Sequence, residues 1–81
     1  MNRFELNDKL AANRIDQRFY SLDGTPKDEA LILEQKTKDT WIVYYSERGL
    51  RTGEAYFGSE SEACQYLFGK LIKDPLVKKR N

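Results

Sequence analysis

The stretch WIVYYSERGLRTGEAYF, residues 41–57, constrains the fold more than any other part of the chain. Its first seven residues are almost all β-branched or aromatic, which is typical of a β-strand. The segment ERGLRTG then supplies two glycines for a loop, and residues 54–57 return as a second strand. Because the connection is short, the two strands must be antiparallel. The sequence therefore predicts a β-hairpin with aromatic side chains on both sides of its first strand.

The two sides of that first strand are expected to have different roles. Successive side chains of a strand point to opposite faces of a sheet. One side holds Trp41, Val43 and Tyr45, the larger apolar set, and we predict that these residues contribute to the core. Five tyrosines and a tryptophan exceed what one thin core needs. We therefore expect some aromatic side chains on the opposite face, where a partner would meet them.

A first helix is predicted at the start of the chain, within RFELNDKLAANRI. Asn2 is a candidate N-cap, Glu5 lies in the first turn, and Asn13 is a plausible stop. Short strands are predicted next in RFYSL and ALILEQ, separated by the turn-forming DGTPKDE. In ALILEQ apolar residues occupy both faces, so this strand is expected to be buried on both sides.

A second helix is predicted from Ser59 to about Lys73. Ser59 and Glu62 match the capping-box spacing. An apolar stripe follows at intervals of three and four, formed by Ala63, Cys64, Leu67, Phe68, Leu71 and Ile72. The order is thus helix, three or four antiparallel strands, helix. We predict a two-layer α+β domain with both helices on one face of the sheet and the other face open to solvent.

Length and composition favour one small domain in a reducing compartment. At 81 residues the chain is expected to be a single domain, with an ordered core at residues 4–74 and a basic tail at 75–81. Its single cysteine, Cys64, cannot form an internal disulfide. No apolar stretch approaches the length of a membrane span, and no export signal is visible. We therefore expect a cytoplasmic protein without a membrane partner.

Catalysis is not predicted. The chain has no histidine, which removes the most common general base and the most common metal ligand. No nucleophile and base occur at a recognisable spacing, and a lone cysteine without histidine is typical of a core position. We therefore expect no enzymatic activity, no cofactor and no metal.

Charge is distributed unevenly, which bears on the partner. Residues 23–62 hold nine acidic and five basic side chains, whereas the remaining residues hold four acidic and nine basic ones. An acidic surface favours a basic partner, such as a nuclease. The element order also matches a double-stranded-RNA-binding domain, so a small RNA-binding module is the alternative function. Glu60 and Glu62 argue against it, because they lie where that family grips phosphates.

The chain resembles small bacterial immunity proteins of polymorphic-toxin and contact-dependent growth inhibition systems, over roughly residues 4–74. The features that carry the resemblance are Tyr20 to Gly24, the strand Trp41 to Tyr45 followed by Glu47-Arg48-Gly49, then Phe57, and the helix start Ser61-Glu62-Ala63-Cys64. The resemblance implies a protein that binds the toxic C-terminal domain of an effector and blocks it. The identity and chemistry of the toxin and the oligomeric state are left open.

A contact surface follows as a hypothesis. We predict that tyrosines anchor a partner on the open face and that charged residues form the rim. The predicted partner-binding residues are Tyr44, Tyr56, Glu47, Arg48 and Glu54. Alternatives remain, since Tyr44 could belong to the core and Arg48 could pair locally with Glu47 or Glu54.

Overall fold

Two α-helices and a four-stranded sheet are formed by residues 1–74, the part of the chain that the computed structural model describes. The α+β class is thereby confirmed. The predicted tail 75–81 lies outside the described residues. No helix in the described part has the length and hydropathy needed to cross a bilayer. In chain order the elements are α1 (Arg3–Ala12), a 3-10 helix (Gln17–Phe19), β1 (Tyr20–Ser21), β2 (Ala30–Thr37), β3 (Thr40–Glu47), β4 (Leu50–Phe57) and α2 (Glu60–Ile72).

The strands lie in the order β1-β2-β3-β4. The three long strands are antiparallel, as predicted. The two-residue β1 pairs parallel with β2, with Tyr20 beside Leu31, so the sheet is mixed. Segment 22–29 returns the chain from β1 to β2. Lys27 anchors this segment, because its ammonium donates to the carbonyl oxygens of Gln17 and Tyr20 at 3.1 and 3.0 Å.

The start of α1 follows from its capping residues. The Asn2 side chain accepts a hydrogen bond from the Glu5 backbone N–H at 2.9 Å, and the Glu5 carboxylate accepts one from the Asn2 N–H at 3.1 Å. This reciprocal pair is a capping box, which satisfies donors that the first helical turn leaves unpaired. The helix ends at Ala12 with Asn13 as its C-cap. The predicted N-cap and stop are both confirmed.

The start of α2 is capped by Ser59, whose hydroxyl accepts from the Glu62 N–H at 3.2 Å. The Glu62 carboxylate accepts from the same hydroxyl at 3.1 Å instead of from the Ser59 backbone, so only half of the predicted capping box forms. Glu60 ties this end of α2 to α1. Its carboxylate accepts the Arg3 N–H at 2.8 Å and lies 3.5 Å from the Arg3 guanidinium.

The core lies between the helices and one face of the sheet. Both helices pack on this face, and Trp41 and Val43 face them as predicted. Tyr45 points to the same side but is 36% exposed, so the prediction that it belongs to the core is wrong. Its ring lies beside a groove that α2 leaves near Lys70 and Leu71. The buried residues of this core are Leu6, Leu10, Ile15, Tyr20, Leu33, Trp41, Val43, Ala63, Cys64, Leu67 and Leu71.

The hairpin of β3 and β4 closes through the two-residue turn Arg48–Gly49. Both residues have positive φ, +52° and +79°, as a type I′ hairpin turn requires. β4 consequently begins at Leu50 and not at residue 54, and the predicted long loop is wrong. The sequence does not predict this turn, because arginine rarely adopts a positive φ.

Candidate protein-binding site

The sheet face opposite the helices, here called the open face, has no helix from residues 1–74 packed on it. Its strands still bury a small apolar cluster, formed by Ala30, Ile32, Ile42 and Tyr44. Burial on both faces of β2 is therefore confirmed. Polar and aromatic side chains of β2 and β4 surround this cluster, and they are the ones available to a partner.

A bulge in β4 decides which side chains reach the open face. Val43 lies opposite Ala55, but Tyr45 lies opposite Thr52, so β4 contains one extra residue between these pairs. Gly53 lies there with φ of +61°. The extra residue resets the alternation of side chains along β4. Arg51 therefore shares a face with Glu54, three positions away.

Arg51 extends from the edge strand β4 across the open face to side chains of β3 and β2. Its guanidinium lies 3.1 Å from the Glu34 carboxylate and 3.5 Å from that of Glu54. It also lies 4.2 Å from the ring centroid of Tyr44. Desolvation opposes the charge, but Tyr44 and the Glu34 and Glu54 carboxylates outweigh it and raise the pKa of Arg51. Two carboxylates and one aromatic ring therefore contact the guanidinium of Arg51, whose side chain is 45% exposed.

The two predicted tyrosine anchors differ in exposure. Tyr44 lies on the open face but is only 2% exposed, because Arg51 covers its ring. It therefore packs as a core residue, which is the alternative to partner binding given above. Tyr56 lies opposite Ile42 and is 54% exposed. The Lys36 ammonium lies 5.4 Å from its ring centroid. Tyr56 is therefore the aromatic side chain that the open face presents.

The predicted charged residues divide between two places. Glu54 joins Tyr56 on the open face, whereas Glu47 and Arg48 lie at the end of the hairpin. There the Arg48 backbone N–H donates to the Asp28 carboxylate at 2.6 Å. The five predicted residues therefore do not form one surface, and their role in partner binding stays a prediction.

The second surface lies beside Tyr45 and is here called the hairpin-end groove. Its volume is about 420 Å³. Burial and, after it, the charges of Glu47, Glu29 and Asp28 raise the pKa of the Tyr45 phenol. The negative charges of three carboxylates therefore act on the Tyr45 phenol at this end of the hairpin. The lining residues are Phe19, Glu29, Leu31, Tyr45, Lys70, Leu71 and Asp74.

The sequence does not identify Arg51 as a contact residue, and it predicts Tyr45 in the core although this side chain is 36% exposed. An extra residue between alternating strand positions is not visible in the sequence before the strand pairing is known. The closest signal was Gly53 inside a strand-like run, since an isolated glycine there suggests a bulge. The position of Tyr45 depends on where α2 ends, which is a tertiary property.

No protein-family model, curated protein or solved structure matches this chain.

Proposed function

We propose that this chain is an immunity protein that acts in the cytoplasm by binding and neutralising a bacterial toxin domain through tight one-to-one contact. The observation that carries the proposal is the presence, on one sheet face, of exposed Tyr56 and of an Arg51 guanidinium that two carboxylates contact. The resemblance described above supports the same role.

Tyrosine and arginine are the residue types enriched at the energetic centres of protein interfaces. A binding site also loses less entropy when its side chains are already ordered. Arg51 meets this condition, because two carboxylates and the Tyr44 ring hold it before any partner arrives. The open face therefore offers a preorganised arginine and, further along β4, an exposed aromatic ring.

The charges around these anchors favour a basic partner. Glu34 and Glu54 exceed Arg51 by one negative charge, and the wider segment 23–62 holds nine acidic against five basic side chains. Acidic side chains at an interface rim increase the association rate with a positively charged protein. A basic nuclease domain is one class of toxin with this charge.

The start of α2 does not favour the RNA-binding alternative. Phosphate contacts require cationic side chains or free backbone donors. Here Glu60 is paired with Arg3, and Glu62 is bonded to the Ser59 cap. We therefore propose protein binding alone and treat RNA retention as a competing outcome of the test.

The test is growth rescue. The C-terminal domain encoded immediately upstream of this gene is expressed in a sensitive bacterium, with and without this protein. We expect toxicity that this chain relieves, together with a stable complex on size exclusion. A toxic domain that is not neutralised, or salt-sensitive retention of RNA without rescue, would contradict the proposal.

A further inference from the structure

We propose that the hairpin-end groove binds an arginine side chain of a protein partner, with the aliphatic stem on the apolar floor and the guanidinium against Glu29 and Glu47. The inference rests on the proposed function as a protein-binding protein. It extends that function to a second surface, on the other side of the same hairpin from Tyr56.

The floor of the groove suits the stem of a long side chain. Phe19 and Leu31 are half-buried, Leu71 is buried, and the Tyr45 ring forms an accessible wall. The volume of about 420 Å³ is within the range of ligand-binding clefts, and it exceeds what one side chain occupies. Such a groove removes the methylene groups of an arginine from water while its charged end stays at the rim.

The rim carries negative charge that the described residues do not neutralise. Glu29 and Glu47 form no ion pair within residues 1–74. Asp74 also lines the groove, and the charge of Asp28 acts on Tyr45 although this carboxylate already accepts the Arg48 N–H. The cation on the α2 side, Lys70, lies 5.3 Å from the ring centroid of Tyr66. A cationic partner side chain would complement the Glu29 and Glu47 carboxylates, which are unpaired within residues 1–74, whereas a phosphate would be repelled.

Glu29 has a strained backbone conformation, which is common at binding sites. Its φ is +55°, a conformation in which residues other than glycine are strained. Glycine or asparagine would adopt it at lower cost. Strained residues occur preferentially at binding and catalytic sites. The chain tolerates this strain and places a carboxylate at the rim.

Arginine fits this groove better than lysine. Its planar guanidinium can bond carboxylates with two parallel hydrogen bonds, and it stacks on aromatic faces. The Tyr45 ring provides such a face and lines the groove together with Glu29, and Glu47 follows two residues later on the same face of β3. Lysine offers one compact charge and no flat surface for the ring.

The test uses the full chain and two fluorescent peptides of equal length. One alternates leucine and arginine, and the other carries neutral citrulline in place of each arginine. Fluorescence anisotropy at low salt gives both dissociation constants. We expect the arginine peptide to bind at least about tenfold more tightly. Shifts of backbone NMR signals are expected to centre on Tyr45 and Leu31.

A charge variant and a matched control make the assignment specific. Glu29→Asn with Glu47→Gln should weaken binding of the arginine peptide at least about tenfold, and asparagine is tolerated at positive φ. Asp8→Asn with Asp39→Asn removes the same charge at exposed positions away from the groove. This control should change the dissociation constant less than about twofold.

Several results would overturn the proposal. They are equal binding of the citrulline peptide, unchanged binding by the charge variant, and signal shifts confined to the open face. A dimer in sedimentation velocity that the charge variant abolishes would assign the groove to a second copy instead.

If growth rescue fails but the peptide binds at Tyr45, only the toxin assignment falls. If the charge variant rescues growth as well as the original chain, the groove proposal falls and the immunity function stands.

Discussion

Tyr56 is the residue on which the proposed interface depends most. It is exposed on the open face, and its side chain contributes little to the core, so its loss should affect binding more than folding. We expect Tyr56→Ala to weaken toxin binding by about 2 kcal/mol or more, because truncating a central anchor has this effect. Isothermal titration calorimetry would measure the change, and a thermal melt should show nearly the original midpoint.

Phe4 provides a matched control for this substitution. It is 80% exposed but lies on α1, away from the open face. Phe4→Ala removes a similar area of aromatic surface, so its binding constant should match that of the original chain. Equal losses from both variants would show that Tyr56 is not a specific contact.

At the scale of the element, the β3–β4 hairpin depends on backbone conformation at Gly53. A side chain added at Gly53 would meet no atom within 4 Å, but φ is +61°. Gly53→Ala therefore incurs conformational strain without a steric clash. We expect a loss of about 1 kcal/mol in the free energy of unfolding, measured with urea. Gly58→Ala has the same open space without positive φ, and it should change stability by less than about 0.5 kcal/mol.

A substitution in the turn of the same hairpin is expected to raise the free energy of unfolding. Arg48 occupies the first turn position with φ of +52°, and asparagine is favoured there when glycine follows. Arg48→Asn keeps the backbone N–H that bonds Asp28. We expect the unfolding free energy to rise by about 0.5 kcal/mol or more, since the left-handed strain of arginine is relieved. A loss of stability in the urea titration would instead assign the Arg48 side chain a structural contact.

Sequence patterns predicted the elements whose signals are local. The capping bonds identify both helix starts, because each joins residues three apart in the chain. Asn2 and Glu5 cap α1, and Ser59 caps α2. The turn at Arg48 was missed, since its conformation follows from strand pairing and not from residue type. For Tyr44 the sequence leaves both burial in the core and exposure to a partner open, and it gives no ground for choosing burial. The burial depends on Arg51, which the bulge places over the ring from the neighbouring strand.

At the scale of the whole molecule, Cys64 reports on the integrity of the domain. It is fully buried between the helices and the sheet. Burial raises the pKa of its thiol from 9.0 to about 11, and the nearby charge of Glu60 acts in the same direction. Since the thiolate is the nucleophile, the folded protein should react with thiol reagents only when it opens. We expect the labelling rate at pH 8 to rise with urea in parallel with global unfolding.

The same shift gives the pH dependence of stability. Between pH 9.0 and about 11 the unfolded chain has lost the thiol proton while the folded chain retains it. This contribution to stability is fully present below pH 9.0 and declines as the pH rises through this range. Cys64→Ala should flatten that decline in urea titrations at pH 8 and pH 10.5. Rapid labelling of the native protein at pH 8 would contradict the assignment of a protonated buried thiol.

The bulge at Gly53 has a further consequence, which concerns solubility. β4 is an edge strand of eight residues, and a long regular edge can pair with the edge of another molecule and start aggregation. A bulge twists such a strand and interrupts its row of backbone donors and acceptors. The Arg51 and Glu54 charges reinforce this protection. The bulge at Gly53 is therefore expected to reduce pairing of the β4 edge with another copy of the chain.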